Sequence, residues 1–222
     1  MNFLITGGEA SGKSAYAEKI ALELAQTEQL PLFYVATLDK ESGGDTAERI
    51  EKHKNMRAGK GFETIEQTKN LKKLTLPQKN GVVLLEDLGN LCANELFSTP
   101  TSPIAIERDD TNTNYASSGK IKSTASGAAN LSASVTVFAD GVAQKIVHSL
   151  DFLAAQARHF IVVSPDIFLE PQTFIAPDGS EIPFSTDLLI FMQTLASACN
   201  SWAEKCENVV QIVAGIPVPV KE

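Results

Sequence analysis

The chain has 222 residues, 43% of them hydrophobic and 21% charged, with 27 acidic residues against 19 basic and a formal net charge of −8. That length and composition support a sizeable buried core and exclude a disordered, collagen-like or coiled-coil protein. The acidic balance argues against broad electrostatic capture of nucleic acid or of an anionic membrane, so an anionic ligand needs a local site.

In chain order, residues 3–6 read as a short buried strand that runs into Gly7-Gly8-Glu9-Ala10-Ser11-Gly12-Lys13-Ser14. A helix follows over about 15–25, with Tyr16, Ile20 and Leu24 at helical spacing. The first apolar run is too short for a secretory leader, and no stretch reaches membrane-spanning length, so stable membrane insertion is not expected. Residues 32–36 form a second apolar strand, and Asp45 is suited to cap a helix carrying Ala47, Ile50, His53 and Lys54. Residues 62–66 read as a short strand before a polar helix over 67–74. Residues 81–86 form a continuous apolar strand that ends in Glu86, and Leu88, Leu91, Cys92 and Leu96 mark one face of a helix over 88–97.

Composition then shifts to Ser, Thr, Asn, Ala and Gly over 98–136, which reads as a mobile low-complexity insertion. Helical periodicity returns over 138–158, followed by a buried strand over 160–164. A proline-rich flap over 165–184 contains the turn signal Ala176-Pro177-Asp178-Gly179. A helix over 185–205 and a last strand over 208–213 close the chain. Strands alternating with helices predict an α/β protein on a mostly parallel sheet, in one domain over 1–222, and the glycine loop at its first strand makes this a three-layer P-loop nucleotide-binding fold. Cys92, Cys199 and Cys206 form neither a CxxC pair nor a metal knuckle, which suits a reducing, cytoplasmic setting.

Gly7-x-x-x-x-Gly12-Lys13-Ser14 meets the phosphate-loop pattern between a strand and a helix, the context in which that pattern has meaning. Backbone amides from Gly8 to Ser14 face the phosphates, aided by the helix N-terminus, and Lys13 neutralises β and γ oxygens. Ser14 offers its hydroxyl to Mg²⁺, and Glu86 is placed to support the metal, with Asp87 as competitor and helix capping as the alternative role. His53 lies among Arg49, Lys52, Lys54 and Arg57, a setting suited either to a nitrogen nucleophile or to a solvated surface. His148 and His159 sit in or beside apolar elements and read as structural, and Trp202 reads as core.

Together Thr6-Gly7-Gly8-Glu9-Ala10-Ser11-Gly12-Lys13-Ser14, Tyr34-Val35-Ala36-Thr37, Arg49-Ile50-x-x-His53-Lys54-x-x-Arg57 and Phe62-x-Thr64-x-Glu66 resemble the bifunctional adenosylcobinamide kinase/adenosylcobinamide-phosphate guanylyltransferases. Val83-Leu84-Leu85-Glu86, Asn94-Glu95-Leu96-Phe97 and Val213-Ala214-Gly215-Ile216-Pro217 extend the likeness. The resemblance implies phosphorylation of the aminopropanol hydroxyl of adenosylcobinamide, then transfer of GMP from GTP through a guanylylated histidine, matched here by His53. It implies nucleotide contacts at Gly7 to Ser14, Ala36, Thr37, Arg57 and Glu66, and a homo-oligomer, specifically a trimer. GTP and ATP both remain open as phosphoryl donor.

The family's Asn-Glu-Val-Gly-like segment is replaced by Ser164-Pro165-Asp166-Ile167-Phe168, and the following helix reads Leu188-Leu189-Ile190-Phe191-Met192-Gln193, with only Asn200 and Trp202 suggestive of polar or stacking work. Two alternatives therefore stand: a kinase for another hydroxyl acceptor, with His53 dispensable, and a nucleotide-binding regulator without catalysis.

Overall fold

The computed structural model describes residues 1–38, 57–97, 128–167, 174–175, 181–182 and 185–222. Its central strands are β1 (Asn2–Gly7), β2 (Leu32–Ala36), β3 (Glu63–Glu66), β4 (Val82–Glu86), β5 (His159–Pro165), β8 (Asn208–Val213) and β9 (Ile216–Lys221). They form one seven-stranded sheet in the order β3-β2-β4-β5-β1-β8-β9. Every neighbouring pair is parallel except β8 and β9. A separate antiparallel pair, β6 (Phe174–Ile175) and β7 (Glu181–Ile182), occupies the expected flap, although the turn at Asp178-Gly179 lies outside the described residues.

Alternation along the strands divides the core between two faces. Ile5, Tyr34, Val82, Leu84, Ile161 and Val163 pack with Ala17, Ala21 and Ala25 of α1 (Lys13–Glu28). The opposite parity, Leu4, Phe33, Val83, Leu85, Phe160 and Val162, packs beneath α2 (Leu88–Phe97), α3 (Ala128–Ala154) and α4 (Thr186–Lys205). The three layers match the α/β expectation. On the second face Trp202 is completely buried, edge-on to Phe160 with ring centroids 5.5 Å apart, as its core role requires. Ser185 caps α4 by accepting from the Leu188 amide.

Four sequence expectations are corrected. The helix over 67–74 is only a 3-10 turn, Leu71–Lys73, because Asn70 takes a left-handed φ of 55°. Leu71, Leu74 and Leu76 are buried, and Gln156 holds this segment by accepting from the Leu76 amide and donating to the Leu74 carbonyl. The expected insertion is helical from Ala128, since alanine favours helix even where large apolar side chains are scarce; residues 98–127 lie outside the described residues. That helix ends at Ala154 rather than 158, where a tight turn from Gln156 to the Leu153 carbonyl leads into β5.

The strand over 208–213 is not the last. Ala214 and Gly215, at φ 49° and 83°, reverse the chain into β9. Its Pro217 and Pro219 read as strand breakers, but β9 is an edge strand, where a missing amide donor is tolerated. No helix among the described residues is long and apolar enough to cross a membrane.

Candidate functional site

The glycine loop leaves the sheet at Gly7, where a side chain has no room. A Cβ there would lie 2.6 Å from the Ser11 hydroxyl and 2.7 Å from the Ile212 carbonyl oxygen. Gly12, at φ 94°, turns the chain into α1. The Ser11 carbonyl accepts from the Gly215 amide at 2.9 Å, so the β8–β9 turn braces the loop from outside. Lys13 folds back, its Nζ donating to the Gly8 carbonyl at 3.1 Å, while Glu9, Ala10 and Gly12 are exposed.

Strand parity carries Glu86 to the same place. Val82 and Leu84 face α1, so Glu86 does too, and it meets the hydroxyl of Ser14 in the first turn of that helix. The Ser14 Oγ donates to Glu86 Oε1 and the Tyr34 hydroxyl to Oε2, the latter at 3.1 Å. Burial pushes the Glu86 carboxyl above its ordinary value, opposed by the bonds from Ser14 and Tyr34; nearby Glu18 raises it and Arg57 lowers it. The adjacent acid does something else: Asp87 Oδ1 accepts from the Asn90 amide at 2.7 Å and caps α2. Glu86 and Asp87, joined by a cis peptide, thus take the two roles that compete on sequence grounds.

A hydroxyl and a carboxylate facing one another are hard oxygen donors, and they fit Mg²⁺, which binds through one or two protein oxygens with phosphate and water completing its shell. No cluster of three acidic, histidine or cysteine side chains placed to hold a metal ion occurs among the described residues.

Beside this pair Arg57 stacks 3.5 Å over the Tyr34 ring, and the Phe62 ring meets Tyr34 edge-on at 6.1 Å. Arg57 is buried, yet its Nε and Nη1 have no hydrogen-bond partner among the described residues. Glu18, one helical turn beyond Ser14 and 1% exposed, pairs with Lys60 at 2.7 Å, while its Oε1 has no partner there. Thr37 is fully buried: its amide and hydroxyl donate to the carbonyls of Glu86 and Asp87, and Asn94 donates to its carbonyl. Ala36 is half-buried and in register with both Glu66 and Glu86, although Glu66 sits exposed on β3.

The structure therefore gathers Lys13, Ser14, Glu86 and Arg57 around the first turn of α1 and the ends of β2 and β4. Thr37 instead supports the backbone there. His53 lies outside the described residues. Tyr34 and Asn94 stand in the quoted motifs without an assigned role and Glu18 is not singled out, although two were traceable: Tyr34 shares strand parity with Ala36, and Glu18 follows Ser14 at i+4. Of the other histidines, His159 is buried with Nε2 2.8 Å from Glu28, and His148 lies exposed on α3.

The family model described as cobinamide kinase / cobinamide phosphate guanyltransferase matches residues 3–220. No curated protein matches the chain. Among solved structures, the chain is similar to an ATPase domain at 11% identity, over 95% of this chain and 68% of that one, with a TM-score of 0.38. It is similar to the flagellar accessory protein FlaH from Methanocaldococcus jannaschii at 14% identity, over 99% of this chain and 77% of that one, also with a TM-score of 0.38.

Proposed function

The chain belongs to the cobinamide kinase / cobinamide phosphate guanyltransferase family, and from that premise we propose that it carries out both reactions, using Lys13, Ser14, Glu86 and His53. The observation that carries the reading is the Ser14–Glu86 pair beside the Lys13 loop, a hydroxyl and a carboxylate brought together by strand parity at a helix N-terminus. In the kinase step the acceptor hydroxyl oxygen bonds to the γ-phosphorus of GTP or ATP. The bridge to the β-phosphate breaks, the nucleoside diphosphate leaves, and the hydroxyl proton passes to solvent. The loop amides and Lys13 hold the phosphate oxygens, while Ser14 and Glu86 hold Mg²⁺, which when bound neutralises charge on the transferring group.

In the second step a nitrogen of His53 bonds to the α-phosphorus of GTP and pyrophosphate leaves. An oxygen of the acceptor phosphate then displaces the histidine, so GMP is joined to the acceptor and His53 is restored. Arg57, with two buried donor atoms lacking partners among the described residues, is suited to the phosphates, as Gly7 to Ser14, Ala36, Thr37 and Glu66 are by resemblance. The same resemblance supports a homo-oligomer, a trimer, and three cysteines without a paired motif suit a cytoplasmic setting.

The test is incubation with Mg²⁺ and GTP labelled at either the α or the γ phosphate, with and without cobinamide, comparing wild type with His53→Ala. Acid-labile α label retained on denatured wild type and lost in the variant supports the guanylyl-histidine. Transfer of γ label to cobinamide with no α label under any condition rejects that step and leaves the kinase alone. A second reading, a kinase for a different alcohol, is favoured by Ser164-Pro165-Asp166, where the family carries an Asn-Glu segment. It predicts γ transfer to another hydroxyl compound and an inert cobinamide.

A further inference from the structure

The glycine loop is held by the last hairpin of the chain. β8 lies parallel to β1 with Ile212 in register with Gly7, and it turns back into β9 through Ala214 and Gly215. That placement brings the hairpin against the loop at two points. At the loop's start Gly7 is packed against the Ile212 carbonyl, and near its end the Gly215 amide donates to the Ser11 carbonyl at 2.9 Å. A Cβ on Gly12 would lie 3.7 Å from the Gly215 Cα, so the turn is in van der Waals reach of the peptide that joins Ser11 to Gly12.

One hydrogen bond there fixes a whole peptide plane. A trans peptide is planar, so the Ser11 carbonyl and the Gly12 N–H point in opposite directions. With the carbonyl turned out to Gly215, the Gly12 N–H is turned the other way, away from the hairpin. The Ser11 amide is already engaged within the loop, donating to the Gly8 carbonyl at 3.3 Å, and the Gly12 carbonyl accepts from the Tyr16 amide at 3.0 Å and so points along α1. The amides of Gly12, Lys13 and Ser14 are therefore the loop's donors for an anion, since the first turn of a helix offers them no partner. Nothing in the loop's own sequence selects this orientation: glycine accepts either sign of φ, so the peptide before Gly12 can flip at little steric cost. Flipped, it would set a carbonyl oxygen where a phosphate oxygen must sit.

We propose that Gly215 is a positioning residue for phosphate binding: its amide holds the Ser11 carbonyl outward and so presents the Gly12 N–H to the nucleotide phosphates before they arrive. The turn is built to keep that amide in place. Val213 and Ile216 are paired directly across it, leaving Ala214 at φ 49° and Gly215 at φ 83° to reverse the chain in two residues. A longer connection would carry the Gly215 amide off the loop. This role gives a task to Val213-Ala214-Gly215-Ile216-Pro217, a segment outside every phosphate-loop pattern. It rests on the reading of residues 7–14 as a nucleotide site and adds to that site a donor from the opposite end of the chain.

The test removes the N–H and keeps the shape. Native ligation at Cys206, a free cysteine, joins residues 1–205 to a synthetic peptide of residues 206–222 in which glycolic acid replaces Gly215, so that an ester oxygen stands where the amide was. A wild-type chain assembled in the same way is the reference. Binding of a fluorescent GTP analogue and of tripolyphosphate, the phosphate chain alone, is measured with Mg²⁺ at a temperature where melting curves show both chains folded. The amide resonance of Gly12, labelled with ¹⁵N, is followed through each titration. Ordering one peptide on binding rather than beforehand weakens affinity by roughly 5–30-fold. The expected result is a loss of that size for both ligands, with a smaller downfield shift of the Gly12 amide proton than in the reference. Unchanged affinity in the folded ester chain overturns the role of Gly215 and leaves the nucleotide reading standing. Weaker binding with the Gly12 shift intact overturns it as well, because the peptide then keeps its orientation without the donor. A reference chain that binds neither ligand overturns the nucleotide reading and this role with it. Should the ester chain fail to refold, a recombinant chain with one glycine inserted between Ala214 and Gly215, which draws the amide away from Ser11, decides by the same two readouts.

Discussion

Tyr34→Phe isolates the hydroxyl that holds Glu86. The change removes one oxygen and leaves the ring that carries Arg57, so steric effects are small. The side chain is 2% exposed, and its hydroxyl donates to a carboxylate that is itself buried. Leaving Glu86 Oε2 without that donor costs about 1–3 kcal/mol, which for a chain of this size lowers the melting temperature by about 2–12 °C. A functional effect of similar free energy accompanies the thermal one. A donor that orients a metal-holding carboxylate contributes roughly 10–100-fold to metal affinity, so the Mg²⁺ concentration needed to support binding of a fluorescent GTP analogue should rise by about that factor. The assay is a Mg²⁺ titration at fixed analogue, read beside the melting curve. An unchanged Mg²⁺ midpoint in a folded variant refutes the claim that Tyr34 positions Glu86. Failure of wild type to bind the analogue at any Mg²⁺ concentration refutes the nucleotide reading itself. Tyr34→Leu removes the ring as well and should weaken analogue binding even at saturating Mg²⁺, through loss of the stacking surface under Arg57.

Gly7→Ala forces a methyl group against the Ser11 hydroxyl and the Ile212 carbonyl, and should destabilise by about 1–3 kcal/mol while weakening nucleotide binding, as thermal melts and analogue titration will show. Glu86→Gln should raise the melting temperature of the metal-free protein and abolish the Mg²⁺ dependence of nucleotide binding. Because burial raises the Glu86 carboxyl, the folded state binds more protons, so this group's contribution worsens as pH rises above the ordinary value of 4.5; the variant's advantage should grow in the same direction and then level off. Glu28 is the opposite case: hydrogen bonds from His159 and then Arg158 lower its carboxyl, so its stabilisation holds above pH 4.5 and is lost as pH falls through the folded value. Glu28→Gln should therefore flatten the acid limb of a stability–pH curve, and an unaltered limb would assign acid unfolding to other groups.

Much of the fold is legible because its strands are continuous apolar runs. Residues 82–86 and 160–164 can only be central parallel strands, since both faces of such a sheet are covered by helices. Legibility fails where local signals conflict with tertiary context. Pro217 and Pro219 argue against a strand by propensity, yet at a sheet edge their missing amides cost little. Residues 67–74 carry helical spacing, but Asn70 breaks the helix and Leu71, Leu74 and Leu76 serve as a plug beneath α3 instead. The poor apolar content around 128–136 hides a helix because alanine and serine carry no core signal of their own. In the site, Lys13 and Ser14 are legible from spacing alone, whereas Tyr34 and Glu18 become visible only when β2, β4 and α1 are laid beside one another. Tyr34 is anonymous in an apolar strand, and Glu18 resembles any acid on an amphipathic helix.

The Glu86-Asp87 step shows how the fold makes a choice that composition leaves open. Both are carboxylates at the end of one strand, and either could support a metal. Strand parity sends Glu86 to the α1 face, where Ser14 waits in the first helical turn; Asp87, one residue on, lies where α2 begins and its carboxylate is taken by the Asn90 amide. The consequences follow from solvation. Burial raises the Glu86 carboxyl against the bonds from Ser14 and Tyr34, so a bound cation favours its charged form. Asp87 is a satisfied cap whose charge faces a helix N-terminus and needs no further partner to be stable. Replacing Asp87 with Asn, which also caps well, should therefore leave Mg²⁺ dependence near wild type, whereas Glu86→Gln, a change of the same size one residue away, should remove it. Equal sensitivity at the two positions would mean that strand parity does not divide their roles.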